Sequence, residues 1–97
     1  MYQIEVSELA DKKFYKIAKK NKVLFEAICK KIEELKTNPE HFKPLRYSMK
    51  NIRSVHFGHF VLIFEIDYQR GFVKILDFDH HDKIYYTFMN SYYMYET

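Results

Sequence analysis

The sequence predicts an α+β domain: an N-terminal strand, a helical hairpin and then a three-stranded antiparallel meander. Three observations carry this. Two apolar stripes of helical spacing follow one another before residue 37, Asn38-Pro39 then breaks the pattern, and three short apolar runs divided by turn residues come after it. At 97 residues the chain is expected to form one domain, residues 1–97, since chains divide only at greater length.

The elements follow in order. Tyr2, Ile4 and Val6 alternate with Gln3 and Glu5, as in a strand. Ser7 stands where a helix N-cap is wanted, and Glu8 suits the first turn. Ala10, Phe14, Ile17 and Ala18 line one stripe of the first helix, and Lys12, Lys13, Lys16, Lys19 and Lys20 cover much of the rest. Asn21 interrupts. A second helix is expected from about Lys22 to Lys36, with Leu24, Ile28, Ile32 and Leu35 as its stripe. Asn38-Pro39 ends it, because proline cannot continue a helix and restricts the residue before it. After the irregular stretch from His41 to Leu45, Ile52–Phe57, Phe60–Ile66 and Phe72–Asp79 read as strands. Gly58-His59 and the run from Asp67 to Gly71 form the turns between them. Phe60 to Phe64 is apolar on both faces and should be the central strand.

Composition bounds the function. Cys29 is the only cysteine, which excludes an internal disulfide and paired Cys-x-x-Cys zinc knuckles. The start lacks the basic and apolar regions of a signal peptide, so a cytoplasmic location is expected, and no apolar run is long enough for a bilayer. Residues 1–57 hold 13 Lys/Arg against 7 Asp/Glu, whereas residues 58–97 hold 3 against 6. A basic half can meet a polyanion, although a lysine-rich helix face is often merely solvated. Nine Tyr and nine Phe are many for such a chain, and six rings lie between Tyr85 and Tyr95, where they could stack on bases or bind a partner.

The run from Asp77 to Tyr85 concentrates the candidate chemistry. If the strand runs straight, Val73, Ile75, Asp77, Asp79 and His81 share one face, and Phe72, Lys74, Leu76, Phe78 and His80 share the other. A carboxylate beside an imidazole raises its pKa and fixes its tautomer, as an acid or base needs. Lys83 and Tyr85 add a cation and a phenol for charge developing on phosphorus. Three readings apply: a metal-free ribonuclease site, a metal site built from Asp77, Asp79, His80, His81 and Asp82, or polar residues that only end a strand. Adjacent strand histidines point to opposite faces, which weighs against the metal. Arg53, His56 and His59 form a second constellation. The arginine fork matches phosphate oxygens.

In the order of these segments the chain resembles the RelE/ParE superfamily of toxin–antitoxin toxins. The resemblance rests on the strand and hairpin, Asn38-Pro39, Lys43-Pro44-Leu45, the stretch Arg53 to Leu62 and the ending His80-His81-Asp82-Lys83-Ile84-Tyr85. It implies a fold similar to microbial ribonucleases. It also implies ribosome-dependent mRNA cleavage if the chain follows the RelE branch, or gyrase inhibition if it follows the ParE branch. A degenerate toxin acting only as a binding module is a third reading. The implied partners are a cognate antitoxin in a hetero-oligomer, the ribosome and mRNA, with no membrane and no cofactor. Two family arginines are replaced, one by Val61 after the glycine turn and one by His81 in the final motif, while His80 and Tyr85 match. The implied site comprises His81 and His56 for proton transfer, Arg53 and Lys83 for phosphate, Tyr85 for positioning, and His80. Lys12, Lys13, Lys16, Lys19 and Lys20 would attract ribosomal RNA.

Overall fold

The computed structural model describes residues 1–44 and 51–87. Strand β1 (Gln3–Val6) leads into helices α1 (Glu8–Lys20) and α2 (Lys22–Thr37), a 3-10 turn (Pro39–His41), and strands β2 (Ile52–Phe57), β3 (Phe60–Asp67) and β4 (Phe72–His80). Residues 81–87 are helical. The α+β class and the order of elements agree with the sequence. Leu45 and the aromatics from Phe88 onward lie outside the described residues.

Local chemistry sets the boundaries. The Ser7 hydroxyl accepts a hydrogen bond from the Ala10 amide at 3.0 Å and starts α1. Asn21 ends α1 through its amide on the Ile17 carbonyl, and its Oδ1 caps α2 by accepting from the Leu24 amide. One residue therefore makes the whole hairpin corner. Pro39 is buried and opens the 3-10 turn, where its missing N–H costs no helical bond. Gly58, at φ +61°, occupies the first central position of the two-residue turn joining β2 to β3. His59 after it keeps a negative φ, the pattern of a type II′ turn that suits the twist of the strands.

The sheet order is β1-β4-β3-β2. The meander is antiparallel, and β1 joins it in parallel beside β4, with Gln3 opposite Phe72 and Val6 opposite Ile75. Strand β3 is interior, as its sequence requires. On one face Val55, Leu62, Phe64, Ile66, Val73, Ile75 and Phe78 pack against Ala10 and Phe14 of α1 and Ile28 and Leu35 of α2. On the other, Val61 and Ile63 are covered by Ile84, with Leu76 alongside. The segment at 81–87 thus forms a second layer over part of the sheet. The hydrophobic run of β3 is explained by this double cover.

One expectation fails here. Strand β4 does not run straight: Phe64 lies opposite Ile75 but Ile63 opposite Asp77, so Leu76 is an extra residue and the ladder is bulged. Before the bulge, Val73 and Ile75 face the hairpin. Beyond it Phe78 faces the hairpin, whereas Asp77 and Asp79 lie opposite Ile63 and Val61 and share their face. Ser7 holds this point from the side. Its amide donates to the Ile75 carbonyl at 2.9 Å, and its hydroxyl donates to the Leu76 carbonyl at 2.7 Å. Ser7→Ala removes both the cap and the bulge contact, so unfolding in urea should show a loss of about 1–3 kcal/mol. Glycine at this position should recover little, because it cannot bind Leu76.

Candidate active site

The site is assembled at the end of the sheet where the Gly58-His59 turn meets the end of β4. The ladder continues past the strand, with the His81 amide donating to the His59 carbonyl at 2.8 Å. The chain then turns into a helix, which carries His81 and Tyr85 four residues apart on one side. His56 of β2 pairs with Val61 and so points to the same face of the sheet as Ile84. The result is a row of three rings. The His56 and His81 centroids are 5.9 Å apart, and those of His81 and Tyr85 are 4.5 Å apart.

Two shallow depressions flank His56. One, of about 440 Å³, is bordered by His56, His59, His80, His81 and Asp82. The other, of about 350 Å³, lies between the Pro39–His41 turn and β2, with His56 and Tyr85 on its inner side. His41, Lys43 and Lys31 border that second depression and were not among the candidate site residues named from the sequence. Their proximity depends on the way α2 and the turn fold back over β2. The only sequence signal for them was basic residues close to Pro39.

The remaining candidates are placed differently. Arg53 lies on the hairpin face, opposite Phe64. Its Nη1 donates to the carbonyls of Phe42 at 2.6 Å and Glu40 at 3.3 Å, and its buried Nε has no partner among the described residues. The guanidinium therefore braces the turn instead of standing in the ring row. His80 stacks on Phe60 at 4.5 Å, at the rim of the first depression. Asp79 does not orient His81, because β4 ends at His80. The carboxylate near His81 is that of Asp82, 3.3 Å from Nδ1 and fully exposed.

Asp77 and Asp79 instead converge on Lys13. Its ammonium lies 2.7 Å from Asp77 Oδ1 and 2.9 Å from Asp79 Oδ2, and Lys83 approaches Asp79 at 3.6 Å. Partial burial of Asp79 favours the neutral carboxyl. That effect is outweighed by the Lys13 ammonium, the His80 amide and Lys83, and the carboxyl is held below its ordinary value. Burial likewise opposes charge on Lys13, but the two aspartates prevail and raise its pKa. Lys13 is thus part of the fold, whereas Lys12, Lys16, Lys19 and Lys20 are exposed along α1. Lys16 and Lys20 flank a groove floored by Ile17, Leu24, Phe60 and Phe78, at the same end of the sheet as the rings. Among the described residues, no three His, Cys, Asp or Glu side chains are grouped to hold a metal, and no helix is long and apolar enough to cross a membrane.

This arrangement of sheet, hairpin and polar end is the fold of RelE-type toxins. The structure superposes on isolated RelE of E. coli with a TM-score of 0.70 at 18% identity, covering 82% of this chain and 84% of that one. It superposes on a chain of the RelBE2 toxin–antitoxin complex of Mycobacterium tuberculosis with a TM-score of 0.67 at 24% identity, covering 82% and 98%. Residues 4–85 match the family described as the ParE toxin of type II toxin–antitoxin systems, parDE. A Methanocaldococcus jannaschii protein bearing the name "Putative toxin RelE4" is 43% identical over 86 residues, 88% of this chain and 92% of its own length. The chain belongs to the RelE/ParE superfamily of type II toxins.

The ion cluster has a pH signature. The depressed Asp79 pKa contributes stability that is present above the ordinary aspartate value, roughly 3.9, and is lost as pH falls through the lower folded value. Lys13→Met leaves two carboxylates without their main partner, so a loss of about 1–3 kcal/mol is expected at pH 7. In urea titrations at several pH values, the gap between the two proteins should narrow as pH drops from 5 toward 2.

Proposed function

We propose that this toxin acts as a ribosome-dependent endoribonuclease that cuts mRNA and so arrests translation. The observation that carries the reading is the His56–His81 pair, 5.9 Å apart at an exposed end of the sheet, with Tyr85 beside His81. Two imidazoles at that spacing can address opposite sides of one phosphodiester. One takes the proton from the 2′-hydroxyl as its oxygen forms a bond to phosphorus. The other, protonated, gives its proton to the 5′-oxygen as the P–O5′ bond breaks, leaving a 2′,3′-cyclic phosphate. The chain supplies both the acid and the base from its own side chains, so the reading requires no cofactor. Tyr85, beside His81, offers a phenol donor for the negative charge that grows on phosphorus, whereas the Lys83 ammonium is turned toward Asp79 at 3.6 Å. The exposed lysines of α1 supply sequence-independent attraction to ribosomal RNA. A cognate antitoxin is the expected partner, in keeping with relatives whose structures are toxin–antitoxin complexes.

The family match to ParE favours a second reading, in which the chain inhibits DNA gyrase by binding and uses no catalytic residue. Induction without a partner should arrest growth and produce cuts in translated mRNA. His81→Ala should lower cleavage by about 10²- to 10⁴-fold and relieve the arrest. In a supercoiling assay with purified gyrase the protein should have no effect. Gyrase inhibition, with His81→Ala still fully toxic and transcripts intact, would establish the second reading instead.

A further inference from the structure

We propose that the depression between the Pro39–His41 turn and β2 is a nucleotide subsite. It would take one residue of single-stranded RNA next to the phosphodiester addressed by His56 and His81. The inference rests on the nuclease reading and adds to it a place for the neighbouring nucleotide.

The chemistry of the walls selects this ligand. Lys31 and Lys43 provide cations, His41 and His56 provide imidazoles, and Phe42 and Tyr85 provide ring surfaces. Among the described residues, no carboxylate borders the depression. Cations select an anion, and flat rings beside them select a base joined to that anion, by stacking worth about 1–3 kcal/mol per base. An acidic peptide would use the cations and leave the rings idle. A space of about 350 Å³ accepts one nucleotide, not a folded strand. Because His56 and Tyr85 belong both to this depression and to the ring row, a nucleotide seated here is one position from the reacting phosphate.

The subsite is also built in advance. Arg53 grips the carbonyls of Glu40 and Phe42, the Ser54 amide donates to the Lys43 carbonyl at 3.1 Å, and Pro44 bridges to Arg53. These bonds hold the outer wall against β2. Lys31 lies 5.7 Å from the centre of the Phe42 ring, and its contact with Glu34, at 3.4 Å between half-exposed groups, is weak enough to yield to a phosphate. Arg53 is then a positioning residue, whose charge serves the wall and not the substrate.

The test is an NMR titration of the isotope-labelled full chain with a tetranucleotide RNA made uncleavable by 2′-O-methylation. Binding should shift the imidazole signals of His41 and His56 and the amide of Lys43. Lys43→Ala should weaken binding about tenfold. Lys74→Ala, an equal loss of charge at the far end of the sheet, should leave it unchanged. Shifts at His56 and His81 without any at His41 would overturn the subsite while leaving the nuclease reading intact. Equal weakening by Lys74→Ala would reduce it to bulk charge. An acidic hexapeptide binding the same signals with equal affinity would show a general anion patch and overturn it. No shift at millimolar RNA would overturn the subsite, while the ribosome-dependent nuclease reading stands or falls on cuts in translated mRNA.

Discussion

Ser7 closes the corner on which the arrangement of the site depends. Its backbone amide completes the β1–β4 pairing, while its hydroxyl accepts from the first turn of α1 and donates to the carbonyl of Leu76. The last of these bonds falls on the residue that makes β4 one position longer than its partner. A bulge shifts every later side chain to the opposite face from the one that simple alternation would assign. Phe78 consequently enters the hairpin core, within ring contact of Phe14, Phe57 and Phe60. Asp77 and Asp79 move to the other face, and the strand delivers His81 to the base of a helix. One hydroxyl thus couples the start of the first helix to the direction in which the last strand presents its polar end.

The polar groups divide between scaffold and chemistry in an unexpected way. Lys13 and Arg53 carry permanent charge, and both are committed to holding parts of the chain together. Lys13 ties α1 to β4, and Arg53 ties the turn before β2 to β2 itself. Among the described residues, the polar groups around the ring row include imidazoles, a phenol and the amines of Lys31 and Lys43. Such a surface offers proton transfer readily and permanent charge sparingly. Under the proposed nuclease reading, RNA would be held more by stacking, and by the lysines of α1, than by guanidinium forks.

The fold was legible because its elements are local. Alternation, capping residues and two glycine turns locate the helices and the three strands of the meander without reference to distant residues. The partner of β1 was not legible, since four residues carry no mark of a parallel pairing with a strand nearly seventy positions away. Neither was the bulge, because no glycine or proline marks Leu76 and counting by twos passes straight through it. The site was legible in part. His56, His81 and Tyr85 could be named from residue type and order, and the structure sets them in a row. Lys13 and Arg53 could be named for their charge but not for its use, which depends on carboxylates and carbonyls brought in by tertiary folding. His41 and Lys43 were not named as site residues because only the return of the turn over β2 places them beside His56.

The parallel pairing of β1 with β4 carries a consequence for biosynthesis. The first strand leaves the ribosome early, yet the strand beside it, and the Leu76 carbonyl that Ser7 binds, are among the later parts of the domain to be made. Contacts of such long sequence separation cannot form until the intervening chain has closed, so the sheet condenses late. His41, His56 and the pair His81 and Tyr85 come from three segments that only this closure unites. A chain made only as far as β3 therefore lacks the row of rings. The row of His56, His81 and Tyr85 thus comes into being in one step, when the sheet closes.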